Sequence, residues 1–173
     1  MKRKSAGVLS ADTTLKAKPG PGAAPSAQDQ LPAAAGRTPP QPVSYRVRAP
    51  LSGNQVNQLF AAAWPAHRHT DFQVQWAYSL GYLAAFSQSE LIGYVNLAWD
   101  GGIHAFLLDT TVHPRFQRQG IGRELVRRAV QMAAERGIQW IHVDYEPELE
   151  HFYAACGFEP TRAGLIRLAR ANS

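Results

Sequence analysis

Gln117-Arg118-Gln119-Gly120-Ile121-Gly122 is the stretch of this chain best suited to hold an anion. The glycines stand where an apolar run, Ile103 to Val112, passes through Val112-His113-Pro114 into an amphipathic stretch, Ile121 to Arg136. That order predicts a strand, a turn and a helix. The first amides of a helix have no partner within it, and the helix dipole favours negative charge there. Gly120 and Gly122 lack side chains, so a phosphate can approach the backbone closely. The expectation is a pyrophosphate cradle between strand and helix. A P-loop is excluded, because it needs a Lys after its last glycine and the chain has none beyond Lys18. A dinucleotide fingerprint fails at its third glycine, where Leu125 stands.

Carboxylates are the next candidates. Asp109 lies in the otherwise apolar run before the glycines, where a carboxylate needs a partner. It is a candidate general base, an anchor for a substrate ammonium, or a structural acceptor of backbone amides. Asp144, at the end of the following predicted strand, is the second candidate base, acting directly or through water. Glu146, Glu148 and Glu150 read as solvated acids at a helix start. His67, His69 and His104 have no spacing that converges on zinc, so no metal is expected. His104, with Trp99 and Asp100, is a candidate wall of an acceptor pocket. Trp64, Trp76, Tyr78 and Tyr94 read as core or pocket walls. Arg118 and Arg123 flank the loop as phosphate contacts, whereas Arg127, Arg128 and Arg136 read as a solvated helix face. Cys156, the single cysteine, falls in a small-residue run and reads as buried and inert.

The elements that must position these residues follow from periodicity. Tyr45 to Arg48 alternates as a first strand. Ser52 caps a helix to about Trp64, with Val56, Leu59, Phe60 and Ala63 on one face and Pro65 beyond its end. Asp71 caps a second helix through Trp76 and Leu80, with Gly81 as its stop. Tyr82 to Phe86 and Leu91 to Trp99 form a hairpin across Ser87-Gln88-Ser89-Glu90. Asp100-Gly101-Gly102 turns into the strand Ile103 to Val112. The helix from Ile121 buries Leu125, Ala129, Met132 and Ala133, and Gly137 ends it. A strand at Gln139 to Asp144, a short helix at Pro147 to Cys156 and a last strand at Gly164 to Leu168 complete the domain. The outcome is α/β: a mixed sheet, antiparallel first, then a strand–helix–strand crossover carrying the glycine loop.

Composition divides the 173 residues in two. Residues 1–42 carry six of the 18 Lys and Arg, two of the 13 Asp and Glu, seven of the 12 Pro and no aromatic residue, so they read as a disordered leader. The domain, 43–173, is nearly neutral, and the net charge of +5 therefore gives no support to nucleic-acid binding. No apolar run approaches a membrane span. One cysteine fits a reducing, cytoplasmic setting.

Three segments carry a family resemblance. Gln117, Gly120 and Gly122 match the Gln/Arg-x-x-Gly-x-Gly/Ala loop of the GCN5-related N-acetyltransferases. Val112-His113-Pro114 resembles their V-x-P lead-in, and Phe152-Tyr153-Ala154-Ala155-Cys156-Gly157-Phe158 resembles their F-Y-x-x-x-G-F segment. The resemblance covers about Val43 to Leu168. It implies the acyl-CoA N-acyltransferase fold, a central splayed sheet flanked by helices, with the thioester of acetyl-CoA in the gap. Backbone around Val112 and the amides of Gln117, Arg118, Gln119, Gly120, Ile121 and Gly122 would hold the coenzyme. Tyr153 would contact its sulfur and return a proton to it. The implied activity is acetyl transfer to an amine by direct attack in a ternary complex, with a small-molecule acceptor. A peptide or protein acceptor and a non-catalytic acyl-CoA-binding module are the alternatives. The chain departs from the family at Leu108, where many members have a glutamate, which leaves the base to Asp109 or Asp144. A monomer or homodimer is expected.

Overall fold

A computed structural model describes residues 42–166 and 168; the leader expected over 1–42 lies outside them except for its last residue. Five strands form one sheet in the order β1 (Val43–Val47), β2 (Ser79–Ser87), β3 (Glu90–Trp99), β4 (His104–Val112) and β5 (Trp140–His142). The first four pair antiparallel and β4 pairs parallel with β5. This is the mixed α/β sheet that the sequence predicts.

Helices cover both faces. Helix α1 (Gly53–Ala63) starts with a capping box, in which the Ser52 hydroxyl accepts from the Gln55 amide and the Gln55 side chain accepts from the Ser52 amide. It ends at Trp64, whose extended backbone is what a following proline favours. Val56, Leu59 and Phe60 join Phe72, Ala84, Phe86 and Tyr94 in the core on this side. Helix α3 (Ile121–Glu135) lies on the opposite face, where Ile121, Leu125, Val126, Ala129, Met132 and Ala133 meet Leu83, Ala85, Val95, Leu97, Ala105 and Leu107. Each large side chain buried there contributes about 1.5–3 kcal/mol.

Three predicted boundaries require correction. Helix α2 (Phe72–Ala77), capped by Asp71 as predicted, stops before Leu80, and strand β2 begins at Ser79. Gly81 is therefore not a helix stop. It is a strand residue over which α3 passes, and a Cβ there would come within 2.9 Å of Met132 Sδ. Ladder pairing along β2 outweighs the local helical pattern. The strand predicted from Gln139 to Asp144 pairs only over Trp140–His142. The last predicted strand is not formed: Gly164, Leu165, Ile166 and Leu168 carry no strand, and position 167 lies outside the described residues. Leu165 is 90% exposed, so the segment gains no burial that would hold it in a ladder.

Two irregularities in the sheet shape the site. Between Tyr94↔Thr111 and Asn96↔Leu108, β4 holds one residue more than β3, a bulge at Asp109-Thr110. Parallel pairing of β4 with β5 ends at Phe106↔His142, so beyond those residues the two strands part.

Candidate active site

The glycine loop has an irregular backbone tied to the end of β4. A single 3-10 turn, Pro114–Phe116, leads from β4, with the His113 ring accepting from the Arg115 amide. The Gln117 side chain then donates to Val112 O at 3.1 Å and ties the loop to the strand end. Arg118 and Gly120 both take left-handed backbone, at φ 61° and 82°. Turns of this kind gather successive N–H groups on one side. Gly120 is the N-cap of α3 and offers no side-chain cap, so the first amides of the helix are left for a ligand. At Gly122 a Cβ would be 3.4 Å from the Phe152 ring. A methyl group would sit there in ordinary van der Waals contact.

The arginines of α3 and of the loop differ in their partners. Arg127 and Arg128 both clasp Glu124, at 2.7 and 2.6 Å, and the hydrogen bond from Arg127 leads in holding that carboxyl down to about 2. Arg128 also lies over the Tyr45 ring. Arg118 and Arg123 are exposed and form no ion pair among the described residues, so their charge is available beside the loop.

Tyr153, on α4 (Glu150–Ala154), is buried between the stacked Tyr145 ring and the edges of Phe152 and Phe158. Burial raises its pKa, so the hydroxyl keeps its proton at neutral pH. The Thr110 hydroxyl is near enough to oppose that rise but does not meet Tyr153 in a formed hydrogen bond, so Thr110 Oγ1 is buried without a partner. Burial also raises the Cys156 thiol, in keeping with an inert cysteine.

Asp109 occupies the bulge with φ 58°, a conformation that a non-glycine residue adopts in a strand only at a cost. Burial raises its pKa, and nearby His67 pulls the other way. Its charge is also felt by Tyr94, whose hydroxyl accepts from the Trp76 indole at 2.8 Å. Asp109 thus reaches the α1–α2 side of the sheet, while its neighbour Thr110 reaches Tyr153. One bulge therefore holds the candidate base beside Thr110, the residue that lies near the candidate acid.

The other predicted residues spread wider. Asp144 is exposed, two residues past β5. Asp100 is occupied by its own turn: Oδ1 accepts from Gly102 N at 2.8 Å and His104 N at 3.2 Å, and the Gly102 contact leads in lowering its pKa. Trp99 is partly exposed at the end of β3. His104 Nδ1 lies 2.9 Å from His142 Nε2, with the rings stacked and Phe106 stacked on His142. Sequence reasoning misses His142, although its alternation with Asp144 along the strand is a usable signal. It also misses a role for His67 other than metal ligation. His67 Nε2 lies 2.8 Å from Asn57 Oδ1, which also accepts from Thr70 N, so the imidazole is held as the Nε2–H donor. No group of three or more His, Cys, Asp or Glu among the described residues could hold a metal. A shallow depression lined by Gln55, Gln58, Glu90 and His113 contains none of the predicted residues.

Comparison with known proteins identifies the family. The acetyltransferase (GNAT) family profile matches residues 53–158, and the chain belongs to that family. An uncharacterized N-acetyltransferase, ycf52 of Pyropia yezoensis, is 31% identical over 72 residues, 42% of this chain and 41% of that protein. The match thus spans about two fifths of that relative's length. A GNAT family acetyltransferase from Streptococcus pneumoniae TIGR4, SP0256, superposes with a TM-score of 0.59 at 25% identity, over 75% of this chain and 99% of that one. AAC(6')-Iy, solved with a bisubstrate analogue of coenzyme A, shares the fold with a TM-score of 0.61 at 18% identity, over 76% and 100% of the two chains.

Proposed function

We propose that this protein transfers the acetyl group of acetyl-CoA to the amine of a small molecule by direct attack in a ternary complex. The observation that carries the reading is the Asp109-Thr110 bulge, which leaves a partly buried carboxylate on β4 directly beside Thr110, the residue that lies near the buried phenol of Tyr153. The residues fit the coenzyme. Amides from Gln117 to Gly122, with Arg118 and Arg123, would take its phosphates, and backbone near Val112 would take the arm leading to the sulfur.

Asp109 receives a proton from the substrate ammonium, aided by a pKa already raised by burial. The neutral nitrogen attacks the thioester carbonyl, the carbon–sulfur bond breaks, and the leaving thiolate takes the Tyr153 hydroxyl proton. The second nitrogen proton leaves with solvent, and solvent restores Tyr153. His67 acts from the α1–α2 loop by moderating the charge on Asp109. Asp144 serves amines that reach the β5 side.

A peptide or protein acceptor is the second reading. Phe106, Leu108 and Trp140 are 43%, 42% and 60% exposed, which leaves this side open. Tyr94 is buried and so does not close a pocket with Trp64 and His104.

Calorimetric titration with acetyl-CoA, with thiol release followed against amines and peptides, tests the proposal. Saturable binding with release for one acceptor class is expected. Binding without release across the panel would favour a regulatory coenzyme-binding module, and no binding would remove the cradle.

A further inference from the structure

Two threonines follow Asp109, and they differ in their partners. The Thr111 hydroxyl donates to Asp109 O at 3.0 Å, whereas Thr110 Oγ1 is buried and has no hydrogen-bond partner. A buried hydroxyl in that state has given up water without compensation, and in a native fold it calls for an explanation. The register shows which way Thr110 faces. Thr111 stands opposite Tyr94, whose ring lies against Phe60 and Phe72 in the core on the α1 side. Thr110 and Val112 therefore point to the other face, since successive strand residues alternate. Val112 packs there against the core that contains Tyr153, and it stands with the Phe152 ring around Gly122. The Tyr153 ring itself meets the rings of Tyr145, Phe152 and Phe158. Burial is the largest influence on its pKa and raises it; Thr110 opposes the rise, and the Cys156 thiol adds to it. The other titratable or charged groups around the pair are Tyr145, stacked on the ring, Arg123 of α3, whose charge reaches Cys156, and Asp109, whose charge is felt by Tyr94 on the opposite face.

We infer that Thr110 is a positioning residue for protonation of the leaving sulfur: its hydroxyl donates to the Tyr153 oxygen as that oxygen gives up its proton. This rests on the transferase reading above and deepens it. The carbon–sulfur bond breaks, the Tyr153 proton passes to the thiolate, and negative charge stays on the phenol oxygen until solvent returns a proton. A hydrogen bond to a charged oxygen is roughly twice as strong as one to a neutral oxygen. The Thr110 bond therefore strengthens as the proton leaves, which lowers the barrier rather than the energy of the bound state. A contact that is open in the free chain fits this role, since catalytic hydrogen bonds are often long there and tighten during reaction. No ligand has to reach Thr110, because only the phenol oxygen meets the reacting sulfur.

The test measures acetylation of benzylamine, spermidine, glucosamine and a lysine-containing peptide, with acetyl-CoA affinity and thermal midpoint in parallel. It compares wild type, Thr110→Val, Thr110→Ser, Tyr153→Phe and the double variant that combines Thr110→Val with Tyr153→Phe. Thr110→Val keeps the branched shape and loses the hydroxyl. It should lower kcat ~10-fold, with amine KM and acetyl-CoA affinity unchanged and a midpoint at or above wild type. Thr110→Ser keeps the donor and should hold kcat within ~3-fold of wild type. Added to Tyr153→Phe, Thr110→Val should cost less than ~2-fold, because no phenol is left to assist. An unmoved kcat in Thr110→Val overturns the inference. So does an equal loss with and without the Tyr153 hydroxyl, which would mean that Thr110 serves the fold. Should Thr110→Val fail to fold, Thr110→Ala makes the same comparison. A further readout needs no turnover. In protein labelled with fluorotyrosine, the Tyr153 fluorine resonance is assigned by its loss in Tyr153→Phe. It should titrate ~0.5–1 pH unit higher in Thr110→Val, and an unmoved titration overturns the inference. A wild type that binds acetyl-CoA but acetylates none of the four acceptors overturns the transferase reading, and this inference with it. That failure is visible in the wild type alone.

Discussion

A carboxylate in left-handed backbone inside a strand carries two costs, and Asp109 carries both. The backbone conformation costs about 1–2 kcal/mol. Burial adds a charge penalty, because the folded protein holds the Asp109 proton more tightly than the unfolded chain does. The stability that the protonated acid contributes is fully present below the unfolded value of 3.8 and is lost as pH rises through the higher folded value. Asparagine tolerates the same backbone and has no proton to lose. Asp109→Asn should therefore melt above wild type at pH 8, with the difference closing as pH falls toward 4. It should also lose ~10²- to 10⁴-fold in turnover and the acid limb of the pH–rate profile. Melts and rates across pH 4–8 read both effects, and a variant with wild-type rates would exclude Asp109 as base. Tyr153→Phe should lower turnover ~10- to 1000-fold with little change in coenzyme affinity, measured by steady-state rates beside calorimetry. Asp109 and Tyr153 are both legible in the sequence, one as an acid in an apolar run and the other through the F-Y-x-x-x-G-F segment. The bulge that turns Asp109 and Thr110 to different neighbours is not, because register is a property of two strands.

At the scale of elements, glycines that look alike in sequence do different work. Gly120 takes φ 82°, and a Cβ added there would meet nothing within 4 Å, so its role is conformational. Gly81 has Met132 Sδ at 2.9 Å from the same added atom, so its role is close approach of α3 to the sheet. Gly120→Ala should weaken acetyl-CoA binding ~10-fold by forcing the cap out of its left-handed conformation, with a small change in thermal midpoint. Gly81→Ala should cost ~1 kcal/mol or less of stability, because the flexible Met132 side chain can shift, and leave coenzyme affinity unchanged. Calorimetry and thermal melts on the two variants separate these outcomes, and the same response in both would show that the loop has no special role. Gly120 is legible in the sequence because helix periodicity resumes directly after it. Gly81 reads there as a helix stop because the residue that demands it lies 51 positions away on α3.

At the scale of the whole molecule, the sheet is well packed on one side and open on the other. Strands β2, β3 and β4 are gripped by α1 and α3, whereas β5 pairs over three residues and then leaves β4. The gap forfeits ladder hydrogen bonds that a continuous sheet would make. A ligand that spans it should therefore tighten the junction between β4 and the β5–α4 segment, which carries Tyr145 and Tyr153. Anything that binds only the folded state stabilises it by RT ln(1 + [L]/Kd), about 2.7 kcal/mol at 100 times Kd. For a domain of this size that corresponds to a rise of ~8–16 °C in thermal midpoint. The increment should be reached with acetyl-CoA and with desulfo-coenzyme A, which keeps the phosphates. It should fall sharply with pantetheine, which lacks the pyrophosphate proposed to sit at the uncapped α3 N-terminus. Thermal melts with the three ligands at matched concentration test this. Equal shifts from pantetheine and acetyl-CoA would place the binding energy in the strand gap and remove the glycine loop from coenzyme recognition.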